Sequence, residues 1–258
     1  MLLLLALLAL ASAGQIAALP LGRAQSLEIG RKVWQNECNG SVAGLTSWNS
    51  GENFASLGIG HFIWYPQDAR GPFEESFPPL VNFISARGAK LPEFLLAGRQ
   101  LGCPWRSRIE FSRAKASPQM RQLRQFLADT VDLQAEFLVE RLSNSLPKML
   151  AAAQPADQAL IQQRFNRLLL SAAGCYALVD YVNFKGEGVL ATERYRGQGW
   201  GLLQVLSTMQ DSGGDSVGEF ARAAKVVLAR RVANSPAERH EKRWLPGWLN
   251  RIDTYTRH

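Results

Sequence analysis

The strongest constraint on the fold of this chain is an almost wholly apolar stretch, Leu168–Val182, which reads LLLSAAGCYALVDYV. A helix that is apolar on all sides has to be buried, so this segment is predicted to run through the core. We expect it to be the second half of a helix that begins at Pro155. Hydrophobic residues make up 47% of the 258 residues and charged residues 20%, as in globular proteins. One large domain, or two lobes that share a core, is therefore predicted.

Helical patterns extend over most of the remaining chain. Residues 26–38 are predicted to form a short helix with Ser26 as its N-cap, ended by Asn39 and Gly40. Residues 117–146 have a strongly amphipathic pattern and are predicted to be helical. Further helices are predicted near residues 80–87, 93–98, 202–210 and 217–233 and within 236–255.

One short region departs from the helical pattern. Residues 40–65 are rich in Gly, Asn and Ser, with β-type stretches at 54–58 and 61–65. Residues 183–201 are also polar and rich in glycine. The predicted fold class is therefore α+β, mainly α, with a small β element in the N-terminal part.

The N-terminal segment predicts export. The first 22 residues contain no charged side chain, and Leu2–Leu10 consists only of Leu and Ala. Ala11-Ser12-Ala13 has the small-x-small pattern that signal peptidases cut, so residues 1–13 are predicted to be a signal peptide. The alternative is an uncleaved anchor, because 22 uncharged residues are just long enough to cross a bilayer. In both cases the body of the protein is expected to be periplasmic or secreted, and attached to a membrane only if the segment is uncleaved.

Glu37 is the first candidate for a catalytic residue. It lies on the same helical stripe as Ile29 and Val33, at the C-terminal end of the predicted helix, so it is expected to face inward. Burial and the helix dipole both disfavour the anion there, and a raised pKa is predicted. A carboxyl group that stays protonated can act as a general acid. The alternative is a buried Glu paired with an Arg for structural reasons alone.

A second carboxylate and a short motif follow Glu37. Glu52 lies 15 residues further on, and the motif SLGIGH occupies residues 56–61. This arrangement resembles the phage-type lysozymes, whose hallmark is a Glu at the end of the first helix, then an acidic residue and a Thr in a small sheet, and a Gly-Ile-Gly-His run. By this resemblance Glu37 matches the helix Glu, Glu52 the acidic residue and Ser56 the Thr.

The resemblance recurs further along the chain. The sequence ALVDYVNFKGEG at 177–188 is similar to the family's central helix and the turn after it, and RVANSPAER at 231–239 is similar to its C-terminal part. The match covers roughly residues 26–65 and 165–255. Residues 66–160 are not explained by it and are interpreted as a large helical insertion. The resemblance thus implies a single lysozyme-like domain over residues 14–258.

The resemblance also implies an activity, cleavage of the glycan strand of peptidoglycan by an inverting hydrolysis. Such a reaction needs a proton for the leaving oxygen and a carboxylate that activates water. Glu37 would be the general acid, Glu52, in a polar turn, the ionised carboxylate, and Ser56 would hold the attacking water. The chain departs from the family in having Glu52 where Asp is usual and Ser56 where Thr is usual.

Aromatic residues near these positions are candidates for binding sugar, because flat rings stack on pyranose faces. Trp48, Trp64 and Tyr65 lie close in sequence to the predicted catalytic residues and are predicted to bind substrate. The alternative is that some of these rings are ordinary core residues. His61 is expected to be a hydrogen-bonding residue at the binding site rather than a catalyst.

Two alternative functions remain open. Glu187 and Glu193 precede the sequence GLLQ at 201–204, and a Glu followed by Gly-Leu-x-Gln resembles the lytic transglycosylases, which cut the same bond with one acid. Glu187 or Glu193 would then be the acid, and Gln204 is predicted to bind substrate. The other alternative is a glycan-binding or wall-assembly protein that has kept the fold and lost catalysis, which the departures at Glu52 and Ser56 leave open.

Charge and composition limit the partners. The net charge of +7 suggests an anionic target, such as a cell-wall polymer, although it is equally explained as a soluble surface. Lys and Arg are spread along the chain without a nucleic-acid motif, so nucleic acid is not an expected partner. No metal or cofactor is expected, because the histidines lack ligand spacing. They are His61, His240 and His258. The three cysteines predict at most one disulfide, or else small buried residues.

Overall fold

The structure is a computed structural model that describes residues 21–71, 73–96 and 102–257. It is mainly helical, with 66% helix and 6% strand, which confirms the predicted mainly α chain with a small β element. The helices used below are α1 (Arg23–Cys38), α2 (Phe77–Ala86), α3 (Arg108–Arg113), α4 (Pro118–Asp129), α5 (Val131–Ala152), α6 (Pro155–Leu169), α7 (Ala172–Lys185), α8 (Leu202–Thr208), α9 (Ser216–Asn234) and α10 (Leu245–Asp253).

Three short strands form an antiparallel sheet in the order β1 (Thr46–Ser47), β2 (Ala55–Leu57) and β3 (Phe62–Trp64). Strands β2 and β3 fall within the two stretches predicted from the sequence. Ser56 of β2 pairs with Ser47 on one side and with Ile63 on the other. The sheet therefore holds Ser56 at its centre.

A second sheet was not predicted. Strands β4 (Arg194–Tyr195) and β5 (Gln198–Gly199) form a tight antiparallel hairpin within the polar, glycine-rich region. Two residues per strand are too few to show an alternating pattern, so the sequence carries no strand signal there.

Helix α7 runs through the core, as the apolar stretch predicted, and most of its residues are buried. It packs against α1, α5 and α6. Helices α1 and α5 also pack closely against each other. A Cβ atom built on Gly30 of α1 would lie only 2.4 Å from the Cβ atom of Ala135 in α5. The absence of a side chain at Gly30 is what allows this approach.

Two predicted helices are broken. The helical region 117–146 is interrupted at Thr130, whose non-helical φ is −116° and whose hydroxyl donates to the Phe126 carbonyl at 2.7 Å. The helix predicted from Pro155 to Val182 breaks before Ser171, whose hydroxyl accepts from the Gly174 amide at 3.0 Å and caps α7. The sequence pattern did not reveal either break, because apolar residues continue on both sides of it.

The first helix begins earlier than predicted. Its N-cap is Gly22 and not Ser26, which lies inside the helix and donates to the Gly22 carbonyl at 3.3 Å. Its end at Asn39 is confirmed, with Asn39 in the left-handed conformation at φ 50°. A carboxylate at position 37 therefore sits in the last turn of α1.

The segment 66–160, interpreted as an insertion, contributes buried residues of α2 to α5 to the same hydrophobic cluster as α1 and α7. The predicted signal peptide, residues 1–13, lies outside the described residues, as do residues 97–98 of the helix predicted at 93–98. Within the described ranges, no helix is both long and apolar enough to cross a membrane. The cysteine thiols are buried and unpaired, at Cys38, Cys103 and Cys175.

Candidate active site

A cleft of about 760 Å³ lies between the three-stranded sheet, the C-terminal ends of α1 and α7, and the segment 187–200. Its wall includes Glu37, Glu52, Ser56 and His61. These residues come from the end of α1, the loop between β1 and β2, strand β2 and the turn before β3. The structure thus brings the three predicted catalytic residues and His61 together.

Glu37 is held from three directions. Its Oε1 atom accepts from Arg251 Nη2 at 2.8 Å and from Asn183 Nδ2 at 3.2 Å, and its Oε2 atom lies 3.4 Å from His61 Nδ1. Only 16% of its side chain is exposed. Asn183 also donates to the Gly60 carbonyl at 3.1 Å, so it ties the end of α7 to the turn that carries His61.

These contacts correct the predicted protonation state of Glu37. Burial alone raises the pKa of Glu37, as the sequence predicted, but the charges and hydrogen bonds of Arg251 and His61 outweigh burial and lower the pKa to about 2. Glu37 is therefore an anion at neutral pH. The helical pattern revealed the burial and gave no sign of the two cations, which come from distant parts of the chain.

Arg251 is held in turn by Asp180, a fully buried residue of α7. The guanidinium donates from Nε and Nη2 to the two carboxylate oxygens of Asp180, each at 2.8 Å. Asp180 also accepts from the Tyr255 hydroxyl at 2.7 Å. A paired fork of this kind fixes the direction of the guanidinium, so that the remaining contact of Nη2 is aimed at Glu37.

His61 completes the charge balance. Its backbone has a positive φ of 49°, a conformation that is uncommon for residues other than Gly but that His adopts more often than most. Its Nδ1 atom faces Glu37, and its Nε2 atom lies 3.4 Å from the Gly44 carbonyl oxygen, so both ring nitrogens face acceptors. Burial lowers the pKa of His61, but Cys38 and Glu37 outweigh burial and raise it to about 10. An imidazolium fits these contacts.

The turn that positions His61 is anchored to α5. The Gln134 side chain accepts from the Ile59 amide at 2.9 Å, and Gly58 has a positive φ of 71°. A Cβ atom at Gly58 would lie 2.4 Å from Gln134 Oε1, so the Gly-Ile-Gly-His motif needs glycine at this position. The motif is thus a tight turn that delivers one imidazole to the cleft.

Glu52 has polar neighbours, as predicted, but it is partly buried. It lies in the loop before β2, where its Oε2 atom accepts from Asn49 Nδ2 at 3.1 Å. Burial raises the pKa of Glu52, against the lowering effects of hydrogen bonds from Asn49 and Ser56 and of the His61 charge. The pKa shift of Glu37 is therefore opposite to the one predicted from the sequence, whereas Glu52 was expected only to be ionised and no direction of its shift was predicted.

The aromatic residues predicted to bind substrate lie in the core. Trp48 packs on Phe111, and its Nε1 atom donates to the Glu52 carbonyl at 2.9 Å. Trp64 packs on Phe77, and the Tyr65 ring is also buried. None of the three lines the cleft. Their nearness in sequence to the predicted catalytic residues gave no sign of which side chains meet the cleft. Aromatic residues that do line it include Phe54, Phe73, Phe184 and Trp200.

Gln204 also has a structural position in this fold. Its Oε1 atom accepts from the Gly201 amide at 3.0 Å, and its Nε2 atom donates to the Gly188 carbonyl at 3.0 Å. It thereby closes the loop before α8 instead of facing the cleft. Glu187 and Glu193, by contrast, line the cleft, and burial raises the pKa of each.

Lys185 is a cleft residue that the sequence did not single out. It is the last residue of α7, it is only 9% exposed, and its Nζ atom lies 3.4 Å from the centre of the Trp248 ring and 3.9 Å from that of Phe184. Burial lowers its pKa well below the usual value, and the charges of Arg231 and Arg251 act in the same direction. Among the described residues none forms a hydrogen bond or ion pair with the Lys185 amine, and the local sequence gives no sign of its cationic and aromatic surroundings.

No protein-family model matches this chain, and comparisons with curated proteins and with solved structures find no significant match.

Proposed function

We propose that this protein hydrolyses the glycan strand of peptidoglycan as a lysozyme-like enzyme. The observation that carries the proposal is the convergence of Glu37, Glu52 and Ser56 on one cleft, although they lie on a helix, a loop and a strand. Two carboxylates on one cleft are what glycoside hydrolysis requires. The size of the cleft suits several sugar rings, and its wall combines aromatic and charged side chains.

The proposal extends to the fold and the location of the protein. A short helix ending in Glu37, a small antiparallel sheet with Ser56 at its centre and a buried central helix are the arrangement that a phage-type lysozyme is expected to have. The uncharged N-terminal segment supports export, so that the enzyme would meet peptidoglycan in the periplasm or outside the cell.

The proton for the leaving oxygen comes from the pair formed by His61 and Glu37. In the free protein this proton is on His61 Nδ1. A sugar that fills the cleft excludes water, and the less polar surroundings favour the neutral His61–Glu37 pair over the ion pair. The proton then passes to Glu37 and on to the glycosidic oxygen as its bond to the anomeric carbon breaks. His61 is left neutral, and the leaving sugar departs as an alcohol.

The water molecule is activated on the other side of the cleft. Glu52 takes one proton from the water, and the remaining hydroxide forms the new bond to the anomeric carbon. Burial raises the pKa of Glu52, and a carboxylate with a raised pKa is a stronger base. Ser56, fixed between two strands, is placed to hold this water by a hydrogen bond. Solvent then returns the proton from Glu52 to His61.

The experiment is incubation of the purified protein with wall sacculi, followed by mass spectrometry of the released fragments. Hydrolysis gives reducing ends, and Glu37→Gln is expected to reduce their rate of release by about 10²-fold or more. Glu28→Gln is the matched control, because Glu28 is an exposed carboxylate on the same helix. Activity of Glu37→Gln near that of the wild type would contradict the role of Glu37.

A lytic transglycosylase is the second candidate. Glu187 and Glu193 line the same cleft and have raised pKa values, as a single catalytic acid requires. Their carboxylates are engaged, however, with Lys148 Nζ at 3.0 Å and with the Leu190 amide at 3.1 Å. Anhydro-sugar products that depend on Glu187 or Glu193 would identify this reaction. Binding to sacculi without release of fragments would identify a non-catalytic glycan-binding protein.

A further inference from the structure

A second groove adjoins the cleft. It has a volume of about 450 Å³ and lies between α2 and α5. Glu74, Ser76, Arg141, Lys148 and Glu187 line both the groove and the cleft, so the two form one continuous depression. Most of its residues belong to the segment 66–160, for which the resemblance implies no role.

Arg141 lies at the junction of groove and cleft. Its side chain is only partly exposed, and among the described residues none forms a hydrogen bond or ion pair with it. Burial lowers the pKa of Arg141, and the charges of Glu74 and Glu187 oppose this without contacting the guanidinium. A partly desolvated, unpaired guanidinium is costly to the protein, and its planar fork matches a carboxylate. The arrangement suits a residue that binds an anionic group.

The other cations of the groove are already paired. Lys148 Nζ lies 3.0 Å from the Glu187 carboxylate, and Arg87 Nη2 lies 3.5 Å from that of Glu140. Glu74 is exposed on the same wall, and its carboxylate has no hydrogen-bond or ion-pair partner within the described ranges. The groove therefore presents one unpaired cation and one unpaired anion, which suits a ligand that carries both a carboxylate and an amine.

We propose that the groove binds the peptide substituent of the glycan strand, with Arg141 pairing with a peptide carboxylate and Glu74 with a free amine. The inference rests on the proposed function and specifies its substrate. Sugar rings of the strand carry mainly hydroxyl and amide groups, whereas the peptides that branch from the strand carry free carboxylates and amines. The groove matches this layout, because it is charged and branches from the cleft as the peptides branch from the glycan strand.

The experiment is calorimetric titration of the whole chain with two soluble ligands. One is the glycan disaccharide bearing a short peptide with free carboxylates and a free amine, and the other is the same disaccharide without peptide. The peptide is expected to strengthen binding at least tenfold, and Arg141→Gln to remove this gain, because a charge-assisted bidentate pair is lost. Binding of the bare disaccharide is expected to stay unchanged.

Three further variants test whether the charge at position 141 is responsible. Arg141→Glu is expected to weaken binding of the peptide ligand further through repulsion, and Arg141→Lys to restore part of it. Arg222→Gln, at an exposed arginine of α9 away from both depressions, is the matched control. Equal thermal melting of Arg141→Gln and the wild type would verify folding, which we expect because Arg141 has no described partner.

The outcomes separate the two proposals. Equal binding of both ligands by the wild type, or an unchanged preference in Arg141→Gln, would overturn the peptide groove and leave glycan hydrolysis standing. Binding of neither ligand, together with intact sacculi after incubation, would overturn both. Cleavage of sacculi with reducing ends, together with a peptide preference that Arg141→Gln abolishes, supports both.

Discussion

The Glu37 carboxylate and the Arg251 guanidinium lie 2.8 Å apart, although 214 residues separate them in the chain. This ion pair joins the end of the first helix to the last one and is flanked by Asp180 and His61. Two carboxylates and two cations balance in this cluster, so that none of the charges is left uncompensated in a mostly buried place. The cluster both closes the fold and sets the protonation state of the cleft.

Arg251→Met is expected to destabilise the protein strongly, because it leaves Asp180 and Glu37 without their cation. Breaking a buried pair in this way typically costs about 3–5 kcal/mol. The free energy of unfolding from urea titration at neutral pH measures this loss. Arg222→Met, at an exposed position, is expected to change the same quantity by less than about 0.5 kcal/mol. A loss for Arg251→Met as small as that of the control would show that the pair does not hold the fold.

The contribution of His61 to stability is expected to depend on pH. Its folded pKa of about 10 exceeds the ordinary value of 6.5, so the contribution is complete below pH 6.5 and is lost as the pH rises toward about 10. His61→Asn is the suitable comparison, because Asn tolerates the positive φ at this position.

The difference in unfolding free energy between the wild type and His61→Asn, measured from pH 6 to pH 10, should therefore shrink as the pH rises. Glu37 remains an anion throughout this interval, since its pKa is about 2. A difference that stays constant over the interval would contradict the ion pair between His61 and Glu37.

Lys185→Met is expected to stabilise the protein at neutral pH. The Lys pKa is lowered by burial, so folding works against the charged form, and Met keeps the packing on Trp248 without a charge to desolvate. The expected gain is about 1–3 kcal/mol, reduced by the cation–π contact that is lost. It should diminish as the pH rises toward the ordinary Lys value of 10.5.

Thermal or urea unfolding at several pH values tests this expectation. Lys242→Met, at an exposed lysine, serves as the control and should leave stability nearly unchanged at every pH. A destabilised Lys185→Met would mean that the contacts of the ammonium with the rings outweigh its desolvation.

Gly30→Ala and Gly247→Ala are expected to have opposite effects. Alanine favours a helix over glycine by about 1 kcal/mol, and a Cβ atom at Gly247 in α10 meets nothing within 4 Å, so Gly247→Ala should stabilise. At Gly30 the new atom would clash with Ala135, and α1 would have to move away from α5. Gly30→Ala should lose about 1–3 kcal/mol in urea unfolding. Equal effects of the two changes would contradict the close helix contact.

Local signals predicted much of this fold. The left-handed end of α1 at Asn39, strands β2 and β3, and the burial of α7 each follow from residue types within a few positions. The breaks at Thr130 and Ser171 were missed because neither involves Gly or Pro, and the apolar pattern continues across both. The β4–β5 hairpin was missed because its strands are too short to show alternation.

Only part of the candidate site was predicted from the sequence, because Lys185 was missed and four predicted residues do not line the cleft, namely Trp48, Trp64, Tyr65 and Gln204. Its electrostatics were not predicted. Glu37, Glu52, Ser56 and His61 follow from spacing and resemblance within 25 residues of one another. The pKa of Glu37 depends on Arg251, which spacing does not reveal. A carboxylate on an apolar stripe can be neutral or ion-paired, and the sign of its shift is decided by tertiary neighbours.

The long separation in sequence between Glu37 and Arg251 has a consequence for the kinetics of folding. Contacts between residues far apart in sequence form late in folding, because closing a long loop costs entropy before any contact repays it. Helices such as α5 and α7 can form and pack before α10 docks and brings its arginine to the cleft. During refolding, the far-UV circular dichroism signal should therefore recover ahead of the proposed wall-lytic activity, and the lag measures the docking of the last helix.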